Sequence, residues 1–144
     1  MDGVTVEGGA EVLKMLDGLG RAEQAAFKKA AKRTTRAGLK PMHKAARAAA
    51  PKRSGRLAKA IKLRTWRNPQ RGQVGHALYI NPGRKRDDPS GAFYGGMIEG
   101  GYIANGTYVP GRHMIGNAYR QYARSAQETV ARALLAEADK IIKA

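Results

Sequence analysis

The sequence contains no cysteine, so neither a disulfide framework nor a thiolate metal site is available to it. Aromatic residues are scarce, at one Trp, two Phe and six Tyr. Alanine supplies much of the apolar content instead. Alanine-rich helices pack closely but bury little area each, which predicts marginal stability for an isolated subunit. No apolar run approaches the roughly 18 residues of a membrane span. Met1-Asp2-Gly3-Val4 lacks the basic stretch and apolar run that open a signal peptide. The expectation is a soluble protein made in the cytoplasm. Acids are the last shortage: 11 Asp and Glu stand against 27 Lys and Arg, for a net charge of +16.

That charge is unevenly placed. From Arg21 to Arg64 there are 15 Lys or Arg and a single acid, Glu23. Self-repulsion on this scale destabilises a compact domain unless a polyanion or an acidic partner surface offsets it. Nucleic acid is therefore an expected neighbour, with charge alone leaving open whether contact is specific, transient or simple proximity.

With 144 residues the chain is expected to form one domain able to bury a core. It turns on the octet Ala50-Pro51-Lys52-Arg53-Ser54-Gly55-Arg56-Leu57. Pro51 cannot continue a helix, because it has no N–H and crowds the preceding turn. Ser54-Gly55 is a turn pair. Before the octet, Phe27, Ala31, Thr34, Gly38, Met42, Ala45 and Ala49 recur at steps of three or four, which predicts a helix over about 22–49. Basic residues fill the rest of that helix, and Pro41 inside it should bend it. After the octet, alternation predicts a hairpin: one strand from Leu57 to Trp66, whose first residues also fit a helical turn, and a second from Val74 to Ile80. Asn68-Pro69-Gln70-Arg71-Gly72 is the connecting turn.

The ends and the long connection complete the reading. Residues 1–9 read as an extended arm, and Ala10 to about Asp17 as a short amphipathic helix stopped by Gly18 and Gly20. Residues 83–111 read as a flexible, glycine-rich loop region. Within it, Phe93 to Tyr102 has strand-like side chains interrupted by glycine pairs, and Tyr108-Val109 offers one more short pairing. The last helix is expected from about Arg112 to Lys143, with Ile115, Tyr119, Tyr122, Ala126, Val130, Ala133, Leu134, Ala138 and Ile141 on its apolar face.

Catalytic chemistry finds little to work with. His43, His76 and His113 have no other ligand type at a useful local spacing, and no zinc motif is present. Each reads as a packing or surface residue. Asp87-Asp88 could hold a hard cation, but in a basic, proline-flanked loop it fits local charge balance better. Glu99 is the acid that stands out, in an apolar, glycine-rich setting. A general-base role would need further acids or a His to hold a metal, so a structural salt bridge to a basic side chain is the expectation. Gly95-Gly96 and Gly100-Gly101 do not form a phosphate loop. Trp66, between Arg64 and Arg67, could stack on a base or anchor the core rim. No catalytic residue, cofactor or metal is expected.

The order of parts now carries weight. A short leucine-bearing helix is followed by a long Ala/Lys/Arg helix with Lys40-Pro41, then by Ala50-Pro51-Lys52-Arg53-Ser54-Gly55-Arg56-Leu57 with Ile61, and by a hairpin. Next come Tyr94…Ile98-Glu99-Gly100, then Val109-Pro110-Gly111-Arg112-His113-Met114, and a terminal helix. Over nearly its whole length the chain resembles the neck and tail-completion (head–tail joining) proteins of long-tailed bacteriophages. It departs where such proteins usually carry Pro-x-x-Pro-Phe and Glu-Phe-Gly-Thr; this chain has Pro-Gly-Arg-His-Met and Glu-Gly-Gly-Tyr.

The resemblance implies an α+β subunit, with a long basic N-terminal helix and a C-terminal helix packed on a small antiparallel sheet. It implies a homo-oligomeric ring, a hexamer or dodecamer, joining the capsid portal or connector to the tail of the virion. Other connector and tail proteins would be its partners, with double-stranded DNA passing through and no membrane involved. On that reading Lys28, Lys32, Arg36, Lys40, Lys44, Arg47, Lys52, Arg53 and Arg56 face the DNA passage or an acidic neighbour. Tyr94, Met97, Glu99, Tyr102, Arg112 and His113 lie at a subunit or partner interface. Nothing presents a recognition helix for base edges, so no sequence-specific readout is expected. The alternative is a small basic protein that binds nucleic acid without sequence specificity.

Overall fold

The computed structural model describes residues 17–18, 20–53, 55–68, 73–89 and 91–143. The expected N-terminal arm, most of the short helix after it, and the turn at 69–72 lie outside the described residues. The chain is α+β. Helix α1 spans Arg21–Ala49, α2 Arg56–Ala60, strand β1 Ile61–Asn68 and β2 Gln73–Ile80. Helix α3 follows at Gly95–Gly100, then β3 at Tyr102–Ala104, β4 at Thr107–Val109 and α4 at Met114–Lys143. Two two-stranded sheets result, β1 with β2 and β3 with β4. Strands only four residues apart in the chain, as β1 and β2 are, can pair only antiparallel.

Contacts divide the molecule into two compact units. The first comprises Pro41–Arg64 and Leu78–Ala123. Its interior holds Met42, Ala46, Ala50, Leu57, Ala60, Ile61, Leu78, Ala92, Met114, Ile115 and Ala118. His43 extends from α1 to the main chain, with Nε2 2.8 Å from the Ile61 carbonyl oxygen. Gly55, at φ 64°, is the left-handed residue before α2, a conformation that glycine adopts without steric cost. The octet therefore ends one helix and starts a one-turn helix, with β1 beginning only at Ile61. The helical option at Leu57–Ile61 is the one the chain takes.

The second unit comprises the described part of Gly3–Lys40 with Thr65–Ala77 and Arg124–Ala144. Phe27, Ala30, Thr34, Thr35, Leu39, His76, Ala77, Ala126 and Val130 are buried in it. Small residues on α1 allow close approach: a Cβ on Gly38 would run into the Val130 side chain of α4. The buried face differs from the expected stripe: Ala30, Thr35 and Leu39 join it, whereas Ala31 and, in the first unit, Ala45 are half-buried and Ala49 is exposed. Helix α1 continues through Pro41, where the Ala37 carbonyl has no N–H to accept from.

The strand-like reading of residues 93–102 needs correction. Gly95–Gly100 is helix, not strand. Ile98 N–H donates to the Tyr94 carbonyl and Gly101 N–H to the Met97 carbonyl. The Gly100-Gly101 pair that would weaken a strand here ends a helix, with Gly101 at φ 91°. Gly95 is buried beside Ile80 and Leu57, where a side chain would not fit. The strand signal belongs instead to Tyr102–Ala104. It pairs antiparallel with Thr107–Val109 through Tyr102↔Val109, Ile103↔Tyr108 and Ala104↔Thr107. Asn105 and Gly106 make the turn at φ 49° and 77°, the double positive φ of a tight two-residue hairpin loop.

Candidate functional site

Helix α1 sorts its cations away from the core. In the second unit Lys28, Lys29, Arg33, Arg36 and Lys40 are exposed and Lys32 is half-buried, whereas Phe27, Ala30, Thr34 and Gly38 are buried. Lys28, Lys32, Arg36 and Lys40 follow one another at intervals of four, so they form one row along the helix. In the first unit Lys44, Arg47, Lys52 and Arg53 are exposed. Among the described residues one ion pair involves this helix, Arg33 Nη2 to Glu137 Oε1 at 2.9 Å. Glu137 also lies 3.6 Å from Lys140 Nζ. Such exposed pairs contribute little, and the remaining cations of the helix have no carboxylate within ion-pairing distance among the described residues.

Arg56 is different. Its Nε donates to the Gly91 carbonyl at 2.7 Å, and its Nη2 to the Arg86 carbonyl at 3.3 Å and to the Asp88 carbonyl. One planar guanidinium thus holds three carbonyls of the loop before α3, a task matched to its fixed fork of donors. Asp88 tightens the same loop by accepting from the Arg84 N–H at 2.8 Å. Arg86 in turn lies over the Phe93 ring, 5.3 Å from its centroid, and Phe93 meets Tyr94 edge-to-face.

Glu99 also has a structural task, though not the expected one. Its carboxylate accepts from the Ile115 N–H (3.1 and 3.2 Å to the two oxygens) and from the Gly116 N–H at 3.0 Å. The partner is the first turn of α4, not a basic side chain. Helix N-termini leave backbone N–H groups unpaired and carry partial positive charge, so a carboxylate satisfies both. The chain locally offers α4 no capping side chain: the preceding residues are Gly111, Arg112 and His113, and His113 is at φ 47°. None of Ser, Thr, Asp or Asn stands at the start. That gap in Pro-Gly-Arg-His-Met is the signal from which a distant cap could be inferred. Main-chain bonds fix the geometry, Arg112 N–H to the Ile98 carbonyl at 2.7 Å and His113 N–H to the Glu99 carbonyl at 3.1 Å.

His76 is buried between α1 and the hairpin. Its Nδ1 is 2.8 Å from the Thr35 hydroxyl and its Nε2 is 3.4 Å from that of Thr65. The Thr35 hydroxyl itself donates back to the Ala31 carbonyl at 2.8 Å, so it accepts from Nδ1–H. Burial, then the nearby charges of Arg36 and Lys32, push the imidazole pKa below its ordinary 6.5. That shift favours the neutral ring, a packed polar node.

Among the described residues no cluster of three His, Asp or Glu could hold a metal ion. Of the residues expected at an interface, Met97, Tyr102, Arg112 and His113 are exposed and Tyr94 is half-buried. Lys52 and Arg53 are exposed beside a Pro51 that is half-buried. The side chain of Trp66 lies outside the described residues.

Fold and surface together define a small cationic α+β protein, one in which Glu99, Arg56 and His76 hold elements together. Residues 13–101 match the HK97-gp10-like family, described as "Bacteriophage HK97-gp10, putative tail-component". The match covers more than half of the chain, and the chain belongs to that family. A tail component is part of the virion. Among the described residues no helix is long and apolar enough to cross a membrane. No curated protein and no solved structure matches the chain.

Proposed function

We propose that this chain is a neck subunit, many copies of which close into a ring that joins the portal or connector to the tail and surrounds the DNA passage. The observation that carries the reading is the α1 row of Lys28, Lys32, Arg36 and Lys40, exposed except for the half-buried Lys32 and without a carboxylate in ion-pairing distance among the described residues, in a member of a tail-component family. A lone subunit bears the full self-repulsion of that row. Copies arranged around a polyanion have it offset at every position. Contact with DNA is to phosphate, without base readout. A head-to-tail ring needs one kind of heterologous contact that closes by rotation.

Electron micrographs and native mass of the purified protein, alone and mixed with portal or tail, test this. Closed rings of defined copy number that dock to either structure are the expected result. A protein that stays single-copy at every concentration, together with virions that join capsid to tail without it, would overturn the reading. A monomer whose DNA affinity drops roughly 10³-fold or more between 50 and 200 mM salt would identify the small nucleic-acid-binding protein instead.

A further inference from the structure

Phe93, Met97, Tyr102, Ile103, Tyr108, Leu135 and Ile142 are the exposed large apolar side chains among the described residues, and the four most exposed form two pairs. The first is on the β3–β4 hairpin. Ile103 and Tyr108 face each other across the ladder and are 74% and 62% exposed. No charged residue occurs from Gly100 to Gly111, so neither Lys nor Asp nor Glu blunts the two open edges of this sheet. In a protein with so many cations, the lack of any here points away from a polyanion as the occupant. Arg112 follows at once, exposed, with no carboxylate within ion-pairing distance among the described residues.

The second set is on α4. Leu135 and Ile142 are 63% and 60% exposed. They are seven residues apart, and Asp139 lies between them at four and three residues, so the three form one helical stripe. Asp139 is exposed and, among the described residues, has no ion-pairing cation. Arg132, Lys140 and Lys143 share this stretch and are exposed; Lys140 is turned to Glu137, and Asp139 is the acid that lies between the two apolar side chains.

We infer that these surfaces are the two halves of one contact between copies: the Ile103–Tyr108 face of one chain takes the Leu135–Ile142 stripe of the next, with Arg112 opposite Asp139. The occupant is a second copy because the same chain carries both an apolar face with a free cation and an apolar stripe with a free acid. Exposed apolar pairs of this kind are a cost to a lone soluble chain. A match between unlike surfaces also propagates head to tail, which is the contact the ring reading needs and on which this inference rests.

The absence of cysteine makes the test specific. Ile103→Cys and Leu135→Cys are made in separate chains, and each is oxidised alone and after mixing. Covalent dimers are expected from the mixture only. Dimers from Ile103→Cys alone would show hairpin meeting hairpin and overturn the inference. So would a mixture that does not cross-link while native mass shows a ring, and in that case the ring reading survives. A wild-type chain that is single-copy throughout removes the ring reading itself. Arg112→Asp and Asp139→Arg provide a second measurement. Each is expected to raise the concentration for half-assembly about tenfold or more, and the two together to restore it. Double substitution without restoration would overturn the pairing. Both positions are exposed, so at a concentration where the wild type is also unassembled the thermal midpoints of the single variants should match it.

Discussion

Glu99, Arg56 and His76 are each a polar side chain that ties distant stretches of chain, and each tie can be cut separately. Glu99→Ala leaves the Ile115 and Gly116 N–H groups without their acceptor. The expected loss is about 1–2 kcal/mol, read as a thermal midpoint lower by roughly 3–6 °C for a chain of this length. Glu99→Gln keeps an acceptor oxygen but not the charge, and should lose less. Arg56→Lys replaces a fork of donors by a point charge that cannot serve three carbonyls at once. Hydrogen exchange across residues 84–91 should quicken, corresponding to on the order of 1–3 kcal/mol less protection, while the amides of α4 keep theirs. His76 gives a pH dependence with a definite sign. Its pKa is depressed in the folded chain, so between 6.5 and the lower folded value the unfolded chain binds more protons. Its contribution is fully present above pH 6.5 and is lost as pH falls through the folded pKa. Denaturant titrations from pH 8 to pH 5 should show this decline, and His76→Gln should flatten it.

The elements differ in how plainly their cause is written in the chain. Helix α1, helix α4 and the β1–β2 hairpin follow from periodicity, because each has a stripe or alternation long enough to outweigh single exceptions. The close approach of α1 and α4 in the second unit is equally local in origin. Gly38 is helical, so Gly38→Ala should gain up to about 1 kcal/mol of helix propensity, yet the added methyl meets Val130. Overpacking costs typically ~1–3 kcal/mol, and the net expectation is a less stable chain. Val130→Ala alone also destabilises, and the double variant should be more stable than additivity of the two single effects allows, which a double-mutant cycle measures. The stretch from 93 to 116 is harder to read. Gly95 is chosen by Ile80 and Leu57, residues far off in sequence. The glycine pair at 100–101 suits a weak strand or a helix end, and only the main-chain partners of Arg112 and His113 decide between them. Asn105-Gly106 is legible as a hairpin turn. It sits in so short a pairing that the surrounding glycines hide it. Glu99 is visible as an unusual residue, and Arg56 only as one of the cations of the octet. Their partners are backbone groups, which leave no trace in side-chain spacing, so spacing alone suggests a basic surface and a salt bridge.

At the scale of the whole molecule the governing quantity is the charge of +16 and where it is left unbalanced. Folding alone would favour removing the α1 cations, since their mutual repulsion falls on the compact state. Under the proposed reading, what offsets that repulsion is a polyanion or an acidic neighbour lying opposite the row. Replacing Lys28, Lys32, Arg36 and Lys40 together by Gln separates the two effects. At low ionic strength the variant should be at least as stable as the wild type, because no fully buried residue is changed and repulsion is relieved. Its association with duplex DNA should weaken, and the slope of log K against log salt should become shallower by about 3–4, close to 0.9 for each phosphate no longer neutralised. None of these four residues belongs to either half of the inferred subunit contact, so ring formation should persist in the same variant. An unchanged salt slope would place the row against an acidic protein neighbour instead of the genome. In that event the variant should lose binding to isolated portal or tail while its own rings still form.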